Sequence, residues 1–175
     1  MEQQTTIRQV ITKFAIIYAL AMIGFALVSY ILEQPNNWIL NTLSIAANIA
    51  ILFFGLKTRK NEIESGNLTY GQGVGTGVGI VAIGAFILTV YTLIFNNFID
   101  PEYMNAIMQK TKIDMMEKGM SDEQIEGAMK MTEKFKNPIF SSFMTYFGSL
   151  FFGTILTLIV AIFTKNNKSN SEVHA

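Results

Sequence analysis

Four stretches of this chain are long enough, and free enough of charge, to cross a lipid bilayer. Nothing else in the sequence limits the fold as much. Residues 14–32 form a run of 19 residues without a charged side chain, bounded by Lys13 and Glu33. Residues 38–56 form a second run of 19. A helix rises about 1.5 Å per residue, so roughly 20 apolar residues cross a hydrocarbon core of about 30 Å. No charge appears from Ser65 to Ile99, and within that stretch the third span is placed at residues 75–98, with its glycine-rich beginning at or above the interface. The fourth is placed at residues 139–164. The expected fold is therefore all-α: a four-helix membrane bundle forming a single membrane domain over residues 1–175.

Composition agrees. Half of the residues are hydrophobic and 15% are charged, against about 25% charged in a typical soluble domain. A secretory signal is the competing reading of the first run, because Arg8 and Lys13 precede it and Ala19-Leu20-Ala21 mimics a cleavage site. Apolar residues continue beyond that tripeptide to Leu32, whereas a signal core is shorter and ends at its cleavage site. The first run reads as a retained span.

The polar segments divide the spans. Glu33-Gln34-Pro35-Asn36-Asn37 is a short turn, so the first two spans form a tight antiparallel hairpin, with Trp38 at the interface where its amphipathic ring is favoured. Lys57, Arg59 and Lys60, with residues 61–67, read as a polar loop. Residues 100–138 hold six lysines and eight acids and lie outside lipid. Asp100-Pro101-Glu102 reads as a cap, a first-position proline and a first-turn acid. Gly119 suits a helix stop, and Ser121 with Gln124 matches a capping box. Met104, Ile107, Met108 and Met115, then Ile125, Met129, Thr132 and Phe135, recur at helical spacing. This segment is an amphipathic helical hairpin between the third and fourth spans.

Basic residues near span ends decide orientation. With both termini in the cytoplasm, the inner segments hold Arg8, Lys13, Lys57, Arg59, Lys60, Lys165 and Lys168. The opposing residues are Lys134 and Lys136, close to the fourth span on the other side.

Several function classes are excluded or weakened. Net charge is zero and the basic residues do not cluster on one face, which speaks against nucleic acid. There is no cysteine, and the single histidine is His174, so thiolate chemistry and a histidine-based site within the membrane are absent. No acidic or basic side chain lies inside any span, although ion-coupled carriers generally use one. Asp100, the nearest candidate, is explained as a cap. Glu62 and Glu64 sit in the loop with no neighbour that identifies a site. No catalytic, cofactor or metal residue is assigned, and the protein is expected not to be an enzyme.

Three constellations remain. Gly71, Gly73, Gly75, Gly77 and Gly79 alternate at the start of the third span, with Gly84 beyond. A phosphate loop would need a preceding strand in an α/β unit, and none is present. On a helix these glycines form a doubled small-xxx-small pattern that lets backbones approach. It reads as packing within the bundle, with a homo-oligomer interface or an unwound entrance as sharper alternatives. Asn41, Ser44 and Asn48 share a face of the second span, and Ser142, Thr145 and Ser149 a face of the fourth, with Tyr18 and Ser29 on the first. These stripes suit hydrogen bonding across the bundle or, alternatively, the polar path of a small channel, carrier or transporter subunit. Seven of ten methionines lie in the hairpin: Met104, Met108, Met115, Met116, Met120, Met129 and Met131. Thioethers bind Cu(I), but no His or Cys assists them, and methionine is a common packing residue.

The four-span layout, Leu68-Thr69-Tyr70-Gly71 opening a glycine-rich span, Tyr91 and Ile94 near its end, and Ile99-Asp100-Pro101 opening the hairpin together resemble a family of bacterial membrane proteins, domain of unknown function 4199, common in Bacteroidetes. The resemblance covers nearly the whole chain. It implies this topology and a bacterial inner membrane, and it carries over no activity. The leading functional expectation is a non-enzymatic membrane protein that acts by self-association or by binding a membrane partner, through the glycine-rich span and the Met-rich hairpin.

Overall fold

The computed structural model describes residues 6–166; Lys168 and His174 lie outside the described residues. Within them the chain forms six α-helices: α1 Ile7–Ile31, α2 Trp38–Glu62, α3 Tyr70–Ile94, α4 Tyr103–Glu117, α5 Asp122–Glu133 and α6 Pro138–Thr164. Four of them, α1, α2, α6 and α3 with its extension to Ile99, are long and apolar enough to cross a membrane. Helices suit these segments because lipid offers no hydrogen bonds, so each backbone N–H and C=O must be satisfied within its own segment.

The helix ends follow from local chemistry. Thr6 caps α1 through a capping box with Gln9. The α1–α2 turn reverses at Glu33, whose φ is +53°, and Asn37 then accepts from the backbone N–H groups of Ile39 and Leu40 to start α2. Thr69 and Gln72 form a further capping box at α3: Thr69 N donates to Gln72 Oε1 (2.8 Å) and Gln72 N to Thr69 Oγ1 (3.3 Å). Asn137 caps α6 through Ile139 N (3.0 Å) and Phe140 N (3.2 Å), with Pro138 as its first residue.

Two segments differ in extent from the sequence expectation. α2 continues to Glu62, so Lys57, Arg59 and Lys60 are helical rather than in the loop; these good helix formers also place positive charge at the C-terminal end of the dipole. α3 begins at Tyr70, because the Thr69–Gln72 box nucleates it there. Its glycine-rich start is wound helix, which removes the unwound-entrance reading.

The described chain divides into two compact units. The first comprises residues up to Ile87 together with those from Ser149 onward. Its core is Val10, Phe14 and Tyr18 of α1, Leu52 and Leu56 of α2, Leu68 just before α3, Ile80 and Val81 of α3, and Val160 and Ala161 of α6. α3 touches the other three helices, and it does so where side chains are missing. A Cβ at Gly77 would fall on the Thr157 side chain of α6, and one at Gly84 on the Tyr18 ring of α1. A Cβ at Gly73 would lie 3.3 Å from Ala161 and 3.4 Å from Leu56, and one at Gly79 3.1 Å from Ile11. The partner helices return the device: a Cβ at Gly55 of α2 would lie 2.7 Å from Ile80, and one at Gly153 of α6 2.5 Å from Val81.

The second unit is Leu88–Gly148. α3 ends in a π-helical turn, Phe95–Ile99, and the Phe95 ring packs between Tyr91 (5.7 Å) and Tyr103 (5.4 Å). Helix α4 starts at Tyr103, two residues later than the sequence suggests. Asp100 caps a turn instead, its Oδ1 accepting from Glu102 N at 3.1 Å. α4 and α5 pair as an amphipathic hairpin with Met108 and Ile125 buried. Gly119, at φ +73°, ends α4, and Ser121 and Gln124 form the expected box at α5.

Close packing at α3 gives a position-specific expectation. Gly77→Val should lower stability in an SDS-unfolding titration by about 1–3 kcal/mol through overpacking. Gly75→Ala, with nothing within 4 Å of its Cβ, should be neutral or stabilising by up to about 1 kcal/mol.

Candidate functional site

The most concentrated polar chemistry in the first unit lies where α2 ends, α3 begins and α6 ends. Arg59 sits one turn before the end of α2 and is only 8% exposed. Its guanidinium Nε and Nη2 both donate to Glu64 Oε1, at 3.2 and 2.9 Å. Nη1 donates to the Gln72 carbonyl at 2.8 Å and to Thr76 Oγ1 at 2.6 Å. The other Glu64 oxygen accepts from Gln72 Nε2 at 3.0 Å, and Thr76 Oγ1 donates to the Gln72 carbonyl at 2.9 Å. A buried charge is strongly unfavourable unless paired and hydrogen-bonded; here both members of the pair are engaged from two sides.

The loop makes this geometry possible. Ser65 (φ +47°) and Gly66 (φ +87°) turn the backbone, with Glu64 N donating to the Arg59 carbonyl (3.2 Å) and Gly66 N to that of Lys60 (2.8 Å). The bond from Glu64 N holds Glu64 at the last turn of α2, and the turn at Ser65 and Gly66 redirects the chain that follows towards α3. α6 is tied to the same place. Lys60 Nζ donates to the Thr164 carbonyl (3.0 Å), Asn166 N to the Leu68 carbonyl (3.0 Å), and Asn166 Nδ2 to the Gly66 carbonyl. Lys165 lies over the Tyr70 ring, 5.9 Å from its centroid.

The residues singled out from sequence fare differently. Gly73, Gly77 and Gly84 are buried in helix contacts and Gly79 packs on Ile11, whereas a Cβ at Gly71 or Gly75 would meet nothing among the described residues within 4 Å. The stripe residues do not share one role. Asn41 is exposed. Ser44 Oγ donates to the Asn41 carbonyl (2.8 Å), and Asn48 Nδ2 to Tyr18 Oη (3.4 Å). Thr145 Oγ1 donates to the Ser141 carbonyl (2.9 Å), Ser142 is buried and Ser149 half-buried. Asn48 Oδ1 and Ser142 Oγ have no hydrogen-bond partner among the described residues. Of the methionines, Met108 is buried, Met104, Met115, Met120 and Met129 are half-buried, and Met116 and Met131 are exposed. No group of three or more His, Cys, Asp or Glu residues able to hold a metal ion occurs among the described residues.

The Arg59 cluster went unseen in the sequence. Glu64, read there as a loop acid without a relevant neighbour, is the partner of Arg59, five residues back. Five residues is not a helical pairing distance; the contact arises because the backbone N–H groups of Ile63 and Glu64 both return to the Arg59 carbonyl as α2 ends. The Leu68-Thr69-Tyr70-Gly71 motif gains a physical meaning: Leu68 fills the core, Thr69 caps α3, and Tyr70 receives Lys165.

Four membrane-length helices, with two short charged ones between the third and fourth, define a multi-pass membrane protein. The family described as "Protein of unknown function (DUF4199)" matches residues 13–166, and the chain belongs to it. No curated protein and no solved structure matches the chain.

Cutting one partner of the charged cluster should cost more than removing both. Arg59→Met leaves Glu64 without its cation and is expected to cost about 1–3 kcal/mol, below the roughly 3–5 kcal/mol of a fully buried pair because Glu64 keeps some solvent. The double variant Arg59→Met/Glu64→Leu should recover part of that loss in the same SDS titration, giving a non-additive cycle.

Proposed function

We propose that this protein is a non-enzymatic component of a bacterial inner membrane, with both termini in the cytoplasm, and that it acts by associating within the bilayer with a second copy of itself or with another membrane protein. The observation that carries this reading is the outward face of α3. Gly71 and Gly75 are one helical turn apart, and a Cβ at either would meet nothing among the described residues within 4 Å. Small residues one turn apart let two helices approach closely in lipid, where contact rather than water exclusion drives association. The bundle already uses the other four glycines of α3 for that purpose internally, which leaves these two for an external helix. The exposed Met116 and Met131 of the hairpin, with Ile113, offer a second, adaptable contact face.

A carrier or channel is the second reading, and the unpaired Asn48 Oδ1 beside Tyr18 favours it. Against it, the buried cation of α2, Arg59, is locked by Glu64, Gln72 and Thr76, and the hydroxyls of Ser44 and Thr145 bond their own helices.

Because the chain has no cysteine, single-cysteine crosslinking in native membranes reads the interface directly. Gly75→Cys is expected to give a covalent dimer or a crosslink to a partner. Phe152→Cys, exposed on α6, is expected to give neither. A chain that stays monomeric at position 75 and recovers no partner would contradict the association reading.

A further inference from the structure

α2 and α6 enclose an apolar groove of about 550 Å³. Ala46 and Ala50 leave room along α2, while Phe53 and Phe163 flank the end nearest the charged cluster. At that end the groove runs into a second, smaller pocket of about 150 Å³ whose walls are the same Phe53 and Phe163 together with Lys57, Lys60, Asn61 and Thr164. The succession follows from sequence spacing. Ala46, Ala50, Phe53, Lys57 and Lys60 succeed one another every three or four residues, so one face of α2 passes from small to aromatic to cationic side chains. From Ala46 to Lys57 this face extends roughly 16 Å along the helix.

We propose that this groove binds a phospholipid with a net anionic headgroup: an acyl chain lies along Ala46, Ala50 and Phe53, and the phosphate sits between Lys57 and Lys60. The apolar part alone would fit any hydrocarbon. The charge at its end selects the occupant. Lys57 is exposed and has no hydrogen bond or ion pair among the described residues. Lys60 spends one of its three donors on the Thr164 carbonyl, which caps the negative end of the α6 dipole that would otherwise repel an anion. The nearby acids do not cancel this charge. Glu64 is held by Arg59, and Glu62, two residues after Lys60, lies about 200° around the helix from it. Lys57 directly follows the uncharged run ending at Leu56, which puts both ammonium groups at headgroup level. Paired cations between spans at that depth are a recurring way of holding anionic lipid headgroups.

The test is native mass spectrometry of the full chain, delipidated in mild detergent and then offered phosphatidylglycerol and phosphatidylcholine of identical acyl chains. The wild type should retain phosphatidylglycerol in preference. Lys57→Gln, at an exposed position, should weaken that preference about five-fold. Ala50→Phe, which fills the groove, should lower retention of both lipids, while circular dichroism confirms that each variant is folded. Inorganic phosphate should not compete. The proposal is overturned if the wild type holds the two lipids equally, if Lys57→Gln keeps the full preference, if inorganic phosphate displaces the lipid, or if Ala50→Phe changes the oligomeric state and leaves lipid retention intact, since a second copy would then occupy the groove.

Discussion

The first unit depends on how closely other helices can approach α3. In lipid no hydrophobic effect pushes helices together, so packing contact and hydrogen bonds must hold them. Contact needs short interaxial distances, and those need small residues. α3 meets α6 through Gly73 and Gly77, and α1 through Gly79 and Gly84. Gly55 and Gly153 supply the same concavity from α2 and α6. The bulky residues, Leu52, Leu56, Ile80 and Val81, then fill the spaces between the contacts and are fully buried. Removing the glycine concavities would leave these side chains without partners at van der Waals distance.

Packing along the helices fixes their separation; the charged cluster fixes their ends. Arg59, Glu64, Gln72 and Thr76 join the end of α2 to the start of α3, and Lys60 and Asn166 add the end of α6. The arrangement is economical in donors. Gln72 serves the capping box with its oxygen and Glu64 with its nitrogen. Satisfying Arg59 internally also separates two kinds of positive charge at this end. Arg59 is committed to the fold, whereas Lys57 faces outward, where a ligand or headgroup can reach it.

Much of the architecture was legible in the sequence, because lipid imposes a length and a polarity that charge-free runs report directly. The four spans, the Glu33–Asn37 turn, the Gly119 stop and the Ser121–Gln124 box rest on such local signals. The inward stripe of the hairpin, from Met104 to Phe135, was readable from helical spacing. Helix limits were less so. Charged residues such as Lys57 and Arg59 mark the end of the apolar run without ending the helix, and Thr69 starts α3 well before the span itself would be expected. The Arg59–Glu64 pair was illegible for a different reason: it depends on the way α2 ends, with Ile63 N and Glu64 N both donating to the Arg59 carbonyl, which brings together side chains with no helical register between them. The face each α3 glycine occupies was equally hidden, since a doubled small-residue pattern serves packing and external contact alike. Only the surrounding helices separate Gly73 and Gly77 from Gly71 and Gly75.

The central claim is that α3 packs against α6 through its glycine face, and a cysteine pair tests it most directly. A Cβ at Gly73 would lie 3.3 Å from the Ala161 Cβ, close to the roughly 3.5–4.5 Å that a disulfide requires. In this cysteine-free chain, Gly73→Cys/Ala161→Cys should oxidise to an intramolecular disulfide in native membranes, detected as a faster-migrating monomer that reverts on reduction. Gly75→Cys/Ala161→Cys should not. An absent bridge at 73/161, or equal bridging by both pairs, would contradict the account.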